Sequence, residues 1–332
     1  MSLKHEIHEQ PQSLARLLER QTNNIQKIAN EIRKFHPSYA FIAARGTSDN
    51  AARYANYLFG AHNRLPVALA APSLFSIYHQ PPRMKDALVI VVSQSGQSPD
   101  IVSVLEEGRR QGRPTLAITN VSDSPAARAA DFVIDLCAGQ ERAVAATKTY
   151  TAELLAMAML STALGRRQKD WDTLARLPAW ADAALTARGE DESLAQRFRY
   201  LSHCAVLGRG YNYATAFEWA LKLKELAYLT AEPYSSADFQ HGPIAMVDPG
   251  FAVLAIAPGG KAHADMHNFL ELLRFKHQAE LVVVSNVKKT LALAQTELPI
   301  PPSLPEWLSP IIAILPAQVF AWSLTTVKEY DT

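Results

Sequence analysis

Cysteine is scarce in this chain, with only two among 332 residues. Two cysteines are too few to form a disulfide framework. Because Cys137 and Cys204 each lie inside an apolar run, we interpret both as buried thiols in a reducing compartment. An excess of charge of one sign is also lacking, because 33 lysines and arginines oppose 32 aspartates and glutamates for a net charge of +1. That balance gives no electrostatic attraction to nucleic acid, so we expect no nucleic-acid partner.

Long apolar runs are the next expected absence. We expect no run to reach the roughly 18 to 20 residues that span a bilayer, and hence no membrane partner. Residues 1–12 have no apolar segment of the kind that a secretory signal needs, so we expect a cytoplasmic protein. The composition, 48% hydrophobic and 20% charged, is typical of a globular chain, and the length predicts about two domains.

Apolar runs alternate with helix-like stretches along the chain. In the first half, the apolar runs cover residues 39–44, 87–92, 115–119 and 132–136. Helical spacing of apolar residues predicts helices over residues 11–35, 50–59 and 99–111. Continuous Val, Ile and Leu runs between helices indicate a parallel sheet that is buried on both faces, and hence an α/β fold.

The same pattern restarts after a mostly helical stretch. An offset of 164 positions lays Arg45-Gly46 on Arg209-Gly210 and Ser95-Gly96 on Gly259-Gly260. We therefore predict two copies of one α/β unit. The predicted divisions are an N-terminal helical segment at 1–35, a first domain at 36–165, a helical connection at 166–200 and a second domain at 201–332. In the second domain we predict a proline-rich loop at 298–305 and a last helix at 309–328.

Polar side chains follow two strands of the first copy, directly before predicted helices. They are Thr47 and Ser48 in one loop, and Ser93, Gln94, Ser95 and Ser98 in the other. Open parallel sheets bind ligands beyond the carboxyl ends of their strands, and a helix N-terminus offers free N–H groups. Hydroxyl and amide donors in such a place predict a phosphate site. The alternative is that Ser48, Ser95 and Ser98 only cap helices.

The second copy lacks these donors. Ala257, Pro258 and Gly259 stand where the first copy has Ser93, Gln94 and Ser95, so only the first copy keeps the hydroxyl groups. Neither loop has the Gly-Lys-Ser/Thr ending of a P-loop or the G-x-G-x-x-G spacing of a dinucleotide fold. These departures argue against a nucleotide ligand.

A charged stripe crosses the otherwise apolar helix predicted from Asn212 to Leu229. At about 100° per residue, Glu218, Lys222 and Glu225 fall on one side of it. Because so apolar a helix should be buried, the stripe should face a cavity or a partner, where a carboxylate beside an ammonium can transfer protons. The alternative is a Glu218–Lys222 pair on a solvated edge.

A histidine, His241, precedes Gly242-Pro243 at a predicted chain reversal. Its imidazole suits proton transfer to a sugar ring oxygen near neutral pH, although a histidine in a loop is often just solvated. His263 and His267 are four positions apart, but no third candidate ligand lies near them in the sequence. We therefore predict no metal site, and no motif indicates a cofactor.

Taken together, these segments resemble the sugar isomerase (SIS) family, in the two-SIS-domain branch that includes the isomerase half of glutamine–fructose-6-phosphate amidotransferase. The matching stretches are Arg45–Ser48, Val92–Ser98, Glu141–Lys148, Leu207–Gly210, Glu218–Glu225 and His241–Pro243. The resemblance extends over nearly the whole chain. It implies two tandem SIS domains, each a doubly wound, flavodoxin-like parallel sheet flanked by helices.

The resemblance also implies roles for individual residues. The phosphate of a hexose or hexosamine 6-phosphate would bind at Thr47, Ser48, Ser93, Gln94, Ser95 and Ser98. Glu225 would move a proton between C1 and C2 of the opened sugar, supported by Glu218 and Lys222. His241 would assist ring opening across the interface of a homodimer with shared active sites. The sugar would be lined by Gly46, Glu141 and Val144.

Two departures from the amidotransferase shape the expected activity. The sequence starts at Met1-Ser2 and enters the SIS segments almost at once, so we expect this chain not to draw ammonia from glutamine. The lysine of the family's C-terminal lid has no match, because Lys328 precedes that tail. We expect a deaminase that converts glucosamine 6-phosphate to fructose 6-phosphate and ammonia. The alternatives are a deglycase of a phosphorylated fructosamine-type adduct, the isomerase half of a glucosamine-6-phosphate synthase-like enzyme, and a non-catalytic sugar-phosphate sensor.

Overall fold

The computed structural model describes residues 2–187 and 194–330. The chain forms two compact units. The first, here called the N-unit, comprises Gln12–Glu141 and Lys148–Leu177. The second, here called the C-unit, comprises Met1–Pro11, Arg142–Thr147 and Pro178–Thr332.

The predicted domain boundaries stay a prediction. Part of the predicted connection at 166–200, residues 188–193, lies outside the described residues, as do Met1 and the last two residues.

The secondary structure alternates strands and helices in both units. The strands are β1 (Tyr39–Ala43), β2 (Val67–Leu69), β3 (Ala87–Ser93), β4 (Thr115–Thr119), β5 (Phe132–Asp135), β6 (His203–Gly208), β7 (Thr230–Ser235), β8 (Ala252–Ile256), β9 (Glu280–Ser285) and β10 (Thr296–Pro299). The helices are α1 (Leu3–His8), α2 (Gln10–Lys34), α3 (Thr47–Asn63), α4 (Ser73–Ser76), α5 (Pro99–Arg110), α6 (Pro125–Ala129), α7 (Lys148–Leu164), α8 (Gln168–Leu174), α9 (Leu177–Thr186), α10 (Tyr213–Ala227), α11 (Ser236–Gln240), α12 (His263–Phe275), α13 (Lys288–Leu291) and α14 (Ser309–Val327).

Five parallel strands form the sheet of the N-unit, in the order β2-β1-β3-β4-β5. The central strand β3 pairs with β1 in the register Tyr39 to Ala87, and all of its residues except Ser93 are buried. Every residue of β4 is buried as well. Strands buried on both faces are built from continuous apolar runs, which is why the sequence pattern identifies them. The predicted α/β architecture is confirmed.

The C-unit repeats this sheet, with its five parallel strands in the order β10-β9-β8-β6-β7. The offset of 164 positions recurs in the strand starts. His203 begins β6 at that distance from Tyr39, which begins β1, and Thr296 begins β10 at that distance from Phe132, which begins β5. The chain therefore contains two copies of one parallel-sheet unit.

Sequence analysis missed three edge strands, β2, β7 and β10. The first is three residues long, β7 contains Pro233, and β10 ends at Pro299, so none of them shows a long apolar run. Proline is tolerated there because one side of an edge strand needs no hydrogen-bonded partner. The predicted loop at 298–305 is wrong at its start, because Leu298 and Pro299 belong to β10.

The last helix lies in the core of the C-unit. It packs against α10, where the rings of Phe320 and Trp219 meet edge to face with centroids 5.8 Å apart. The stretch Glu306–Val327 is long and apolar enough to cross a membrane, so the expectation that no run reaches that length is wrong. However, 89% of its most apolar window is buried inside the protein, which is the environment of a core helix.

Candidate functional site

Two polar loops lie where the N-unit sheet reverses its strand order. β1 and β3 are neighbours, but the chain proceeds to β2 on one side after β1 and to β4 on the other side after β3. Residues 44–46 follow β1 and residues 94–98 follow β3, so both loops emerge at the carboxyl edge of the sheet. Such a switch point is where open α/β sheets bind their ligands.

The loop after β3 is folded onto its own backbone. The Gly96 N–H donates to the Ser93 hydroxyl oxygen at 3.0 Å, and the Gln97 N–H donates to the Ser95 hydroxyl oxygen at 3.4 Å. Because each serine oxygen accepts here, its own hydrogen can still be donated to an anion. Gly96 has a φ of +63°, and a Cβ at this position would overlap Ser124 Oγ, so the loop needs glycine.

Thr47 and Gln94 also lie at this edge. Thr47 is the first residue of α3, and Gln94 is half-buried directly after β3. The Gln94 carbonyl accepts the Asn120 N–H at 3.1 Å and the Thr119 hydroxyl at 3.3 Å. These bonds attach the loop to the end of β4 and fix its course.

The alternative role of the serines as helix caps is met in position by Ser98 alone, and no side-chain capping bond accompanies it. Ser98 holds the N-cap position of α5 without a side-chain capping bond, and the N-cap of α3 is Gly46. The hydroxyl of buried Ser48 donates instead to Glu153 Oε1 at 2.7 Å. Glu153, on α7, is 1% exposed and was not predicted from the sequence. Because its hydroxyl hydrogen is donated to Glu153, Ser48 can contact an anion through its backbone N–H in the first turn of α3 and not through its hydroxyl group.

A cation that sequence analysis missed connects the loop after β1 to helix α5. Arg45, directly before Gly46, forms an ion pair of 2.5 Å with Asp100 in the first turn of α5. Hydrogen bonds from Ser76 and from Arg45 hold the pKa of the Asp100 carboxyl below its ordinary value. The pair joins the loop after β1 to the helix after β3. The Arg45 side chain is 54% exposed, so it adds positive charge beside the first loop.

The charged stripe of α10 is an ion-pair cluster in the C-unit. Lys222 Nζ lies 2.6 Å from Glu225 Oε2 and 3.3 Å from Glu218 Oε1. Glu218 and Lys222 are 0% and 1% exposed, so the alternative of a pair on a solvated edge is wrong. Burial alone would lower the pKa of the Lys222 ammonium. The charges of Glu218 and Glu225 and their hydrogen bonds outweigh this effect, so the pKa is raised above its ordinary value.

Within this cluster, Glu225 is the carboxylate that reaches solvent, with 32% of its side chain exposed. Its Oε2 is held by Lys222, which fixes the orientation of the carboxylate. Two carboxylates share one ammonium, so the cluster carries a net negative charge when all three groups are ionised. An oriented, partly exposed carboxylate of this kind can take a proton from a ligand carbon.

The segment predicted to line a sugar divides between the two units. Glu141, in the N-unit, accepts the backbone N–H of Thr149 at 3.3 Å and also its hydroxyl. Val144, in the C-unit, is 96% exposed. Gly46 is exposed at the start of α3, with a φ of +55°.

A buried carboxylate that sequence analysis missed holds the Val144 segment. Glu6, on α1, is fully buried and accepts the N–H groups of Arg142 at 2.6 Å and Ala143 at 3.2 Å. Its position on the same helix face as the buried Leu3 is the sequence signal that could have found it. The backbone beside Val144 is therefore anchored by a charge-assisted pair of hydrogen bonds.

The last predicted residue is the histidine His241, and two other histidines, His263 and His267, were considered as metal ligands and set aside. His241 is exposed at the end of α11, before Gly242 with its φ of +126°. His263 Nε2 and His267 Nδ1 both contact the Thr290 hydroxyl, at 2.8 and 2.9 Å. Residues 2–187 and 194–330 contain no group of three or more His, Cys, Asp or Glu side chains that could hold a metal ion.

Comparison with known proteins shows what the chain resembles. The SIS domain family matches residues 36–163 and 185–328. The glutamine–fructose-6-phosphate aminotransferase (isomerizing) of Pyrococcus horikoshii is 31% identical over 339 residues, which cover 98% of this chain and 55% of that protein. The corresponding Brucella abortus protein is also 31% identical, with coverages of 99% and 56%. The chain thus spans about half the length of the curated relatives it matches.

Solved structures share the fold over nearly the whole chain. A Silicibacter pomeroyi DSS-3 protein named as a candidate phosphosugar isomerase is 32% identical, has a TM-score of 0.85, and is matched over 98% of this chain and 96% of its own. The C-terminal domain of glucosamine-fructose-6-phosphate aminotransferase from Francisella tularensis has a TM-score of 0.88 at 24% identity, with coverages of 99% and 97%. At 24% identity, the match to the Francisella tularensis domain supports a shared fold and nothing more.

Proposed function

Because the chain belongs to the SIS domain family, as its motifs predicted, we propose that it is a phosphosugar isomerase acting on a hexosamine 6-phosphate. In the favoured reaction, glucosamine 6-phosphate and water give fructose 6-phosphate and ammonia. The observation that carries this proposal is the cluster of Glu218, Lys222 and Glu225, in which only Glu225 is substantially exposed. It supplies the fixed carboxylate base that an aldose–ketose shift requires.

In the proposed reaction, Glu225 acts on the open-chain sugar. Its carboxylate takes the proton from C2 and returns a proton to C1, while O1 is also protonated, which leaves an imine at C2. Water adds to this imine and ammonia departs, so that C2 becomes the ketone. Lys222 supports the step by holding Glu225 Oε2, and Glu218 keeps the buried ammonium charged.

We assign the phosphate of the substrate to the two loops of the N-unit. The proposed donors are the hydroxyl, amide and backbone groups of Thr47, Ser48, Ser93, Gln94, Ser95 and Ser98. The retained hydroxyl hydrogens of the loop after β3 and the exposed Arg45 guanidinium support this assignment. Gly46, Glu141 and Val144 are proposed to line the sugar.

Ring opening is assigned to His241, supplied by the second subunit of a homodimer. The exposure of its side chain at the end of α11 supports this role, because an imidazole used by another subunit must be accessible. We expect the enzyme to work in the cytoplasm on a free sugar phosphate.

A second candidate function is the isomerase half of a glucosamine-6-phosphate synthase-like enzyme. It is favoured by the two curated relatives at 31% identity, both of which are isomerizing aminotransferases. The two candidates share the proton transfer at C1 and C2 and differ in whether ammonia leaves or enters. They are separated by the source of ammonia, that is, by whether an added glutaminase protein speeds the formation of glucosamine 6-phosphate beyond the rate with free ammonia.

The decisive experiment measures ammonia release over a panel of 6-phosphorylated amino sugars and fructosamine-type adducts. The wild type should release ammonia from glucosamine 6-phosphate, and the rate of release should be about 10²- to 10⁴-fold lower in Glu225→Gln. Glu232→Gln is the matched control, because Glu232 is an exposed carboxylate on β7 of the same unit. Its rate should stay within twofold of the wild type.

Each other outcome favours a different function. Glucosamine 6-phosphate formed from fructose 6-phosphate and glutamine after a separate glutaminase protein is added, at a higher rate than with free ammonia, would favour the synthase-like candidate. Turnover of only the fructosamine-type adducts would indicate a deglycase. Tight binding of fructose 6-phosphate that Glu225→Gln leaves unchanged, with no turnover in either protein, would indicate a sensor and overturn the proposal.

A further inference from the structure

The second repeat retains a loop that corresponds to the proposed phosphate loop of the first. Gly259-Gly260 stands 164 positions after Ser95-Gly96, and α12 begins at His263, 164 positions after α5 begins at Pro99. The strand before each loop lies at the switch point of its sheet, because β8 neighbours β6 as β3 neighbours β1. The second loop has no hydroxyl side chains, but its backbone N–H groups remain.

A carboxylate of the protein occupies this second loop. Glu306 Oε2 accepts the Lys261 N–H at 2.8 Å, and Glu306 Oε1 accepts the Ala262 N–H at 3.1 Å. These two N–H groups directly precede α12, whose 13 residues present the positive end of a helix dipole. One backbone donor for each oxygen is the arrangement by which a helix start also binds two oxygens of a phosphate.

The loop is shaped around this carboxylate. Gly260 has a φ of +156°, and a Cβ at this position would overlap the Glu306 carboxyl group. Glu306 follows Pro305, and its carbonyl accepts the Ser309 hydroxyl at 2.6 Å. The side chain is therefore presented from a constrained segment directly before α14.

Among the residues that the structure describes, none places a carboxylate in the corresponding loop of the first repeat. Arg142 stands 164 positions before Glu306, so the charge at the corresponding position is reversed. Its backbone N–H is bound by Glu6 within the C-unit. Among the described residues, no carboxylate accepts from the N–H groups of Gln97 and Ser98, which correspond to Lys261 and Ala262.

We infer that Glu306 is an internal anion that closes a phosphate-type site in the second repeat, and that the Gly260–Ala262 loop binds a phosphate group once this carboxylate is removed. The inference explains why a chain with two similar anion loops would keep only one for a substrate. It concerns the C-unit alone and holds whether or not the first repeat binds a sugar phosphate.

The test titrates inorganic phosphate, at constant ionic strength, into the full chain and into Glu306→Ala. Backbone amide resonances of Lys261 and Ala262 report on the loop, and calorimetry counts the phosphate ions bound. Glu306→Ala should show saturable shifts of both resonances and one more bound phosphate than the wild type. Glu297→Ala, which removes an exposed carboxylate from β10 of the same unit, should behave as the wild type.

Glu306→Gln guards against a variant that does not fold. Its carboxamide keeps the shape of the plug, so it should bind no additional phosphate, but one backbone N–H loses its acceptor. Hydrogen exchange should rise about tenfold in this variant at whichever of the Lys261 and Ala262 amides loses its acceptor. Three results would each overturn the inference. The first is a folded Glu306→Ala that binds no additional phosphate, and the second is a phosphate-induced shift of the Lys261 and Ala262 resonances that is as large in the wild type as in Glu306→Ala. The third is unchanged hydrogen exchange in Glu306→Gln.

Discussion

Lys222 Nζ lies 2.6 Å from Glu225 Oε2, and this contact joins a fully buried ammonium to a carboxylate that is 32% exposed. The same ammonium lies 3.3 Å from the buried Glu218. One cation therefore neutralises an interior carboxylate and orients the exposed one. Structural stability and the proposed chemistry depend on the same side chain.

Replacing Lys222 by Met should destabilise the protein strongly. The change leaves Glu218, which is 0% exposed, without its ammonium partner, and breaking a buried ion pair in this way costs about 3 to 5 kcal/mol of unfolding free energy. Urea denaturation followed by circular dichroism measures the loss. Lys224→Met is the matched control, because Lys224 is exposed on the same helix and its replacement should cost under about 0.5 kcal/mol. Similar losses in both variants would contradict the prediction.

The main architecture was readable from the sequence because the central strands are continuous apolar runs bounded by loops. The offset of 164 positions between Ser95-Gly96 and Gly259-Gly260 reappears in the strand starts, because both copies place their strands at the same intervals along the chain. Two buried carboxylates, Glu6 and Glu153, were not readable, because their partners are remote in sequence. Glu6 binds backbone 136 positions away, and Ser48 donates to Glu153 at a separation of 105. No local pattern encodes such pairs, although the apolar helix face around Glu6 marks that residue as buried.

Gly96→Ala should disrupt the loop after β3. Gly96 has a φ of +63°, which costs an alanine about 1 kcal/mol, and the new Cβ would overlap Ser124 Oγ, which adds about 1 to 3 kcal/mol of overpacking. Gly112→Ala provides the comparison, because Gly112 has a φ of +68° but open space around the Cβ position. Thermal denaturation should show a clearly larger loss for Gly96→Ala. Equal losses would mean that the loop adapts and that the overlap is not limiting.

Acid should weaken the C-unit through His263. Burial, followed by the charges of His267 and Lys289, lowers the pKa of the His263 imidazole from 6.5. The folded state therefore prefers neutral His263, whereas the unfolded chain takes up a proton near pH 6.5. The unfolding free energy should be undiminished above that pH and should fall as the pH drops below it.

Denaturation between pH 7.5 and pH 5 tests this dependence. His263→Gln removes the titrating group beside Thr290 and should give a flatter pH profile than the wild type. Asn268→Ala, which changes an exposed side chain without a titrating group on the same helix α12, should keep the wild-type slope. An unchanged slope in His263→Gln would assign the acid sensitivity to another group.

Glu6→Gln should loosen the segment that carries Val144. A carboxylate can accept from both Arg142 and Ala143, whereas a carboxamide offers one oxygen and turns its own N–H₂ toward the other donor. The lost charge-assisted bond should cost about 1 to 3 kcal/mol and raise hydrogen exchange at both amides. The exposed Glu19 on α2 provides the control Glu19→Gln, which should change neither quantity.

If the segment also lines the proposed sugar site, KM for the sugar phosphate should rise more than kcat falls in Glu6→Gln, because Glu6 holds backbone and does not touch reacting atoms. Unchanged exchange at Arg142 and Ala143 would show that other contacts hold the segment.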